Sequence, residues 1–99
     1  MLHDIKKKLT DGKLVLKPIG RIDTVTAPEL AAAIVLDNVK ELEFDLSEVD
    51  YISSAGLRIF LGSQQKMSSA GGRMVLSGVR PIVKDIFDIV GFSDAFTFI

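Results

Sequence analysis

Ninety-nine residues, 47% of them hydrophobic and 25% charged, have the size and balance of one folded domain and exclude a disordered chain. Twelve basic against thirteen acidic residues leave a formal charge of -1, so the molecule offers no overall field for nucleic acid, and there is no arginine-rich block to supply a local one. The absence of cysteine removes disulfides, thiolate metal ligands and cysteine nucleophiles together.

The opening "MLHDIKKK" lacks the apolar core of a signal peptide, and no apolar run approaches the ~18 residues of a membrane span. A cytoplasmic location without membrane insertion is therefore expected. "HDIKKKLTDGKLVLKPIG" predicts two antiparallel strands about Asp11-Gly12, because glycine supplies the positive φ of a tight hairpin turn. Leu14 and Leu16 share one face of the second strand, with Lys13 and Lys17 on the other. The run Lys6 to Lys8 fits a solvated edge strand whose charges discourage edge-to-edge pairing.

"DTVTAPELAAAIV" predicts a first helix, with Thr26 as N-cap, Pro28 in the first turn, and Glu29 completing a capping box with Thr26. Leu30, Ala31, Ile34 and Val35 form its expected apolar stripe. "ELEFDLSEV" alternates strictly, with Leu42, Phe44 and Leu46 opposite Glu41, Glu43 and Asp45, so the sheet is expected to be covered mainly on one side. A second helix is predicted from about Ser54 to Ser69, with Leu57, Phe60, Leu61, Gln64 and Met67 on one face. A short strand, Arg73 to Ser77, follows. A third helix enters through Pro81 and stops at Gly91, and "DAFTFI" closes as a brief strand. The predicted order is β-β-α-β-α-β-α-β, an α/β fold in one domain over residues 1–99. Alternation after the hairpin calls for parallel pairing through right-handed crossovers, giving a small mixed, mostly parallel sheet with three helices.

Candidate chemistry is sparse. His3 is the only histidine and is read as incidental, since a metal site or a Ser-His-Asp arrangement needs partners and a rigid cleft. Dinucleotide and Walker-type glycine loops are absent, and "SAGG" at Ser69 to Gly72 reads as a helix end and turn, so no cofactor, metal or catalytic residue is assigned and no enzyme is expected. Asp45, Glu48 and Asp50 form an acidic rim ahead of "YISSAGL", where the serine pair is either a helix cap or a switch. Opposite the core face, the second helix carries Arg58, Ile59, Gly62 and Lys66. An exposed isoleucine beside a mid-helix glycine suits close approach by another protein, or else the isoleucine is exposed by chance or Gly62 is needed for packing inside the domain.

"DLSEVDYISSAGLRIFLGSQQKMSSAGGRMVLSGVRPIVKDIFDIVGF" and, before it, "GRIDTVTAPEL" resemble the STAS domain family, specifically bacterial anti-sigma factor antagonists. Gly20 and Asp23 match the family's earlier segment. Its central motif, roughly Asp-Ser-[Ser/Thr/Ala]-Gly-Leu, falls at the start of the second helix. The resemblance implies that Ser54 is the serine phosphorylated by a cognate anti-sigma factor that is itself a serine kinase. Ala55 and Gly56 follow in register, while Ser53 stands where the family has an aspartate, and the first helix is short for the family. It further implies a partner surface of Asp23, Ser53, Ser54, Gly56, Arg58, Ile59, Gly62 and Lys66. The unphosphorylated protein, a monomer or weak dimer, would bind the anti-sigma factor and release a sigma factor, with no direct contact to nucleic acid. The alternative is an unphosphorylated docking subunit of a lipid-transport ABC complex or a signalling assembly.

Overall fold

A computed structural model describes residues 4–99; His3 lies outside the described residues. The hairpin forms as the Asp-Gly signal predicts. Strand β1 (Asp4–Thr10) pairs antiparallel with β2 (Lys13–Ile22), and the turn between them holds both Asp11 and Gly12 at positive φ, 49° and 83°. That combination gives a two-residue connection whose twist matches the flanking strands. Strand β1 is an exposed edge, with Lys6, Lys7 and Lys8 in solvent.

Strand β2 then serves as the spine of the sheet. Its first half pairs in parallel with β3 (Glu41–Asp45), from Lys13 opposite Glu41 to Leu16 opposite Phe44. Its second half pairs in parallel with β4 (Val49–Ile52), ending on Ile22 opposite Ile52. Strand β4 is absent from the sequence-based order, which reads this stretch as an acidic turn. Its residues follow the pattern buried, exposed, exposed, buried, so no alternation announces it. Strand β5 (Arg73–Ser77) pairs in parallel with β3 along its whole length and occupies the predicted residues.

One face of the sheet is buried and the other is wet, as the alternation predicts. Leu14, Leu16, Leu42, Phe44, Met74 and Leu76 point into a single core. On the opposite face Glu43 bridges Lys13 at 3.3 Å and accepts from the Ser77 hydroxyl at 2.6 Å. The core is closed by α1 (Ala27–Ala33), α2 (Ser54–Ser69) and α3 (Pro81–Ile89). Helix α1 is shorter than its apolar pattern suggests. It buries Ala27 and Leu30, while Ala31 and Val35 stay exposed. Along α2 the buried stripe is Gly56, Leu57, Phe60, Ser63 and Met67, and Leu61 and Gln64 are only half-buried. Ser63 tolerates burial because its hydroxyl donates to the Ile59 carbonyl at 2.8 Å.

The last segment departs from expectation. "DAFTFI" forms a 3-10 turn at Ser93–Ala95 and then a single parallel bridge between Phe98 and Leu76, through Leu76 N–H to the Thr97 carbonyl at 2.8 Å and Ile99 N–H to the Leu76 carbonyl at 2.9 Å. Aromatic packing fixes it in place of a full ladder. Phe96 and Phe98 meet Phe87 edge to face at 5.3 and 5.5 Å, and the chain of rings continues through Phe60 to Phe44.

The start of α2 lies against the ends of β2 and β4, and Gly56 permits that contact. A Cβ there would sit 2.7 Å from Ile22 Cγ2 and 2.9 Å from Ile52 Cγ2, both inside a fully buried layer. Gly56→Ala should therefore destabilise the fold by about 1–3 kcal/mol through overpacking, outweighing alanine's better helix propensity. Urea unfolding measures this, and an unchanged or higher midpoint would show that the helix start can shift without loss.

Candidate functional site

The ends of β2 and β4 bring two loops together. Because Ile22 is paired with Ile52, Asp23 and Ser53 leave the sheet side by side, and the Ser53 amide donates to the Ile22 carbonyl at 2.7 Å. Functional loops commonly gather at such carboxyl ends of parallel strands.

Ser53 has an extended backbone, its hydroxyl oxygen accepts from the Gly56 amide at 3.4 Å, and its carbonyl accepts from the Leu57 amide at 3.0 Å. It is the N-cap, satisfying an amide that the first helical turn leaves free. Ser54 is the first helical residue and is exposed. The two serines therefore differ in kind: the first hydroxyl is engaged in the fold, and the second stands at the surface.

The Asp23 loop corrects the expected capping box. Thr26 has a helical backbone, is fully buried, and makes no side-chain cap bond to α1, while Glu29 is exposed. The reciprocal bonding sits one turn earlier. Asp23 Oδ1 accepts from the Val25 and Thr26 amides at 2.9 and 3.0 Å, and Thr26 Oγ1 accepts from the Asp23 amide at 2.8 Å. The Ala27 amide donates to the Asp23 carbonyl at 2.8 Å, so Asp23 starts the turn that runs into α1. The Thr26 hydroxyl lies within donating distance of both the Arg21 carbonyl, at 2.9 Å, and Asp23 Oδ1, at 3.2 Å. Arg21 in turn lies 3.3 Å from Asp23 Oδ2 and stacks over the Tyr51 ring, 4.6 Å from its centre. The Thr26 amide beside its carboxylate holds Asp23 below the usual carboxylate range, against a burial penalty and with help from the Val25 amide, the Thr26 hydroxyl and Arg21.

Two grooves flank α2. One, against α1, is lined by Ala31, Ile34, Arg58, Ile59, Gly62, Ser63 and Lys66. Ile59 is not the freely exposed side chain expected from its helical position. It is half-buried and packs on the core beside α1. Arg58 and Lys66 are exposed, four residues either side of Gly62. A Cβ on Gly62 would meet nothing within 4 Å, so packing inside the domain does not require this glycine. The other groove, against the end of α3, is lined by Ser54, Leu57, Arg58, Leu61, Val90 and Phe92. Next to it Ile89 is 84% exposed.

The structure thus brings Asp23, Ser53 and Ser54 to one end of the sheet and lines Arg58, Ile59, Gly62 and Lys66 along the adjoining helix. Gly56 belongs to the packing beneath this surface and not to the surface itself, since it is buried against Ile22 and Ile52. Sequence reasoning missed Tyr51, hidden in the unrecognised β4, and the contributions of Ala31, Ile34, Val90 and Phe92, which only the placement of α1 and α3 reveals. The acidic rim is dispersed. Asp45 accepts from the Ser47 amide, Glu48 pairs with Lys17 at 3.2 Å, and Asp50 is exposed on β4. Among the described residues no three histidine, cysteine or acidic side chains converge as metal ligands, and no helix is long and apolar enough to cross a membrane.

The depressed Asp23 value sets a pH dependence. A carboxylate with a folded pKa below its unfolded one contributes stability above the unfolded value, and loses it as the pH falls through the folded value. Between about pH 5 and pH 2 the melting temperature of the wild type should fall more steeply than that of Asp23→Asn. Parallel curves for the two proteins would remove Asp23 from the acid response.

The STAS domain profile matches residues 4–99. The anti-sigma-B factor antagonist of Listeria monocytogenes is 35% identical over 94 residues, covering 92% of this chain and 82% of that protein. The anti-sigma-B factor antagonist of Bacillus subtilis is 29% identical, with 92% and 85% covered. The crystal structure of an anti-sigma factor antagonist from Mycobacterium paratuberculosis superposes with a TM-score of 0.81 at 28% identity, over 96% of this chain and 83% of that one. With a profile match over residues 4–99 and a relative 35% identical across 92% of this sequence, the chain belongs to the STAS domain family.

Proposed function

We propose that this protein is an anti-sigma factor antagonist: it binds an anti-sigma factor that is also a serine kinase, frees a sigma factor, and is switched off by phosphorylation of Ser54. The observation that carries the reading is the exposed Ser54 hydroxyl, one residue past its own helix cap and beside the Asp23 loop, in a chain 35% identical to a relative named for that activity. The surface offered to the partner consists of Ser54, the Asp23 loop, the neutral cap Ser53, and the helix face of Arg58, Ile59, Gly62 and Lys66.

Phosphorylation transfers the γ-phosphoryl group of ATP to Ser54 Oγ, which gives up its proton as ADP departs. The product carries close to two negative charges. At the first position of α2 those charges meet the positive end of the helix dipole and unsatisfied amides, so the fold tolerates them. A partner packed closely over the same hydroxyl does not. The switch therefore acts on association and leaves folding nearly unchanged.

Docking without phosphorylation is the second reading, favoured by the motif's missing aspartate at Ser53 and by the open space above Gly62. It uses the same helix face, in a lipid-transport ABC complex or a signalling assembly.

Incubated with the anti-sigma factor kinase of its own cell and ATP, the wild type should gain one phosphate and Ser54→Ala none. Ser54→Asp should weaken binding to that kinase with little change in melting temperature. Modification of Ser54→Ala at the wild-type rate would move the site elsewhere. Gly62→Ala separates surface from core: it should raise stability by up to ~1 kcal/mol, since nothing obstructs the new methyl, while weakening the partner complex. Loss of stability in thermal unfolding would return Gly62 to an internal role.

A further inference from the structure

Ser54 and Arg58 lie one helical turn apart on α2 and line the same groove, and among the described residues Arg58 is the only charged one lining it. The other walls are Leu57, Leu61, Val90 and Phe92, and the groove's α3 side brings no carboxylate to compete for the guanidinium. None of the salt bridges among the described residues involves Arg58. Every other arrangement of cations near the site is weaker. Arg21 is engaged with Asp23 and Tyr51, and Lys66 stands three turns from Ser54, about 18 Å along the helix axis.

We propose that Arg58 is the built-in counter-charge for phosphorylated Ser54. The inference rests on the reading of Ser54 as a phosphorylation site and adds how the modified state is held. Side chains four apart on a helix are neighbours, and the anion-before-cation order is the favourable one. A guanidinium presents a planar fork of N–H donors that matches phosphate oxygens. Phosphorylation then changes two things at once. It adds negative charge at the helix start, and it draws Arg58 from the partner-facing groove beside Gly62 toward the groove beside Val90, because Arg58 lines both. A single modification thereby masks a cation as well as a hydroxyl, eight residues before Lys66 at the far end of the same face.

The test uses phosphoserine installed at position 54 during synthesis of the full chain, so that it depends on no kinase. The phosphate is titrated by phosphorus NMR at low salt. Its second ionisation should be about twofold stronger, as an acid dissociation constant, in the wild type than in Arg58→Gln. Arg58→Lys should keep part of the difference, and Lys66→Gln should titrate like the wild type. High salt should close the gap. Equal titration of wild type and Arg58→Gln overturns the proposal, and so does an equal effect of Lys66→Gln, which would make the shift a property of net charge. Failure of the kinase to modify Ser54 is a separate result. It would overturn the functional reading while leaving the titration to decide the pairing of phosphoserine 54 with Arg58.

Discussion

The parallel pairing that brings Ile22 opposite Ile52 is the constraint on which the site depends. It ends two strands at the same level, so the loop of Asp23 and the helix start of Ser53 and Ser54 emerge together. The pairing alone would not suffice, because a helix starting immediately after β4 must lie across the two isoleucines it has just left. Gly56 removes the one atom that would keep it off, and the Ser53 amide ties the junction to the Ile22 carbonyl. Burial, hydrogen bonding and a missing side chain thus act at one point, and the exposure of Ser54 is their result.

The second loop is built on the same economy. Asp23 closes its own turn with two backbone amides and a threonine hydroxyl, and this leaves its second oxygen for Arg21. An ionised carboxylate held in that way is rigid without being buried. It gives the end of the sheet a fixed negative point on one side, while the helix face running away from it carries the cations Arg58 and Lys66. In the proposed complex a partner would find charges of both signs at defined places on this surface, which favours register and orientation over raw attraction.

Much of this was legible in the residues. Asp11-Gly12 specified the hairpin, the alternation of β3 assigned its two faces, and the extents of α2 and β5 were readable because caps, glycines and periodicity agreed there. What escaped was decided by contacts distant in sequence. Strand β4 is four residues long with no alternation, and it exists because the second half of β2 needs a partner where β3 has ended. The box at Thr26 was misplaced by one turn because Asp23 competes for the same threonine, a local choice that composition does not rank. The closing aromatics read as a strand, yet Phe87 captured Phe96 and Phe98 and left a single bridge. At the candidate site, the motif singled out both serines, but the engagement of Ser53 as a cap and the exposure of Ser54 came only from backbone geometry, and the packing of Ile59 from the position of α1.

The serine at position 53 has a physical consequence for the proposed phosphorylation switch. An aspartate in that place would cap the helix with a full negative charge, and a phosphate on the next residue would then stand beside a like charge at the same helix end. A hydroxyl caps the helix by the same hydrogen bond to Gly56 without that charge. The first turn of α2 therefore carries no acidic side chain of its own, and in the proposed switch a phosphate on Ser54 would meet the positive end of the helix directly. A serine in place of that aspartate weakens the local resemblance to a kinase substrate, and at the same time would lower the electrostatic cost of the proposed phosphorylated product. In the proposed switch the energetic contrast between the two states would then fall on the partner's side of the interface, where a close fit over Ser54 would be lost, and hardly at all on the stability of the domain.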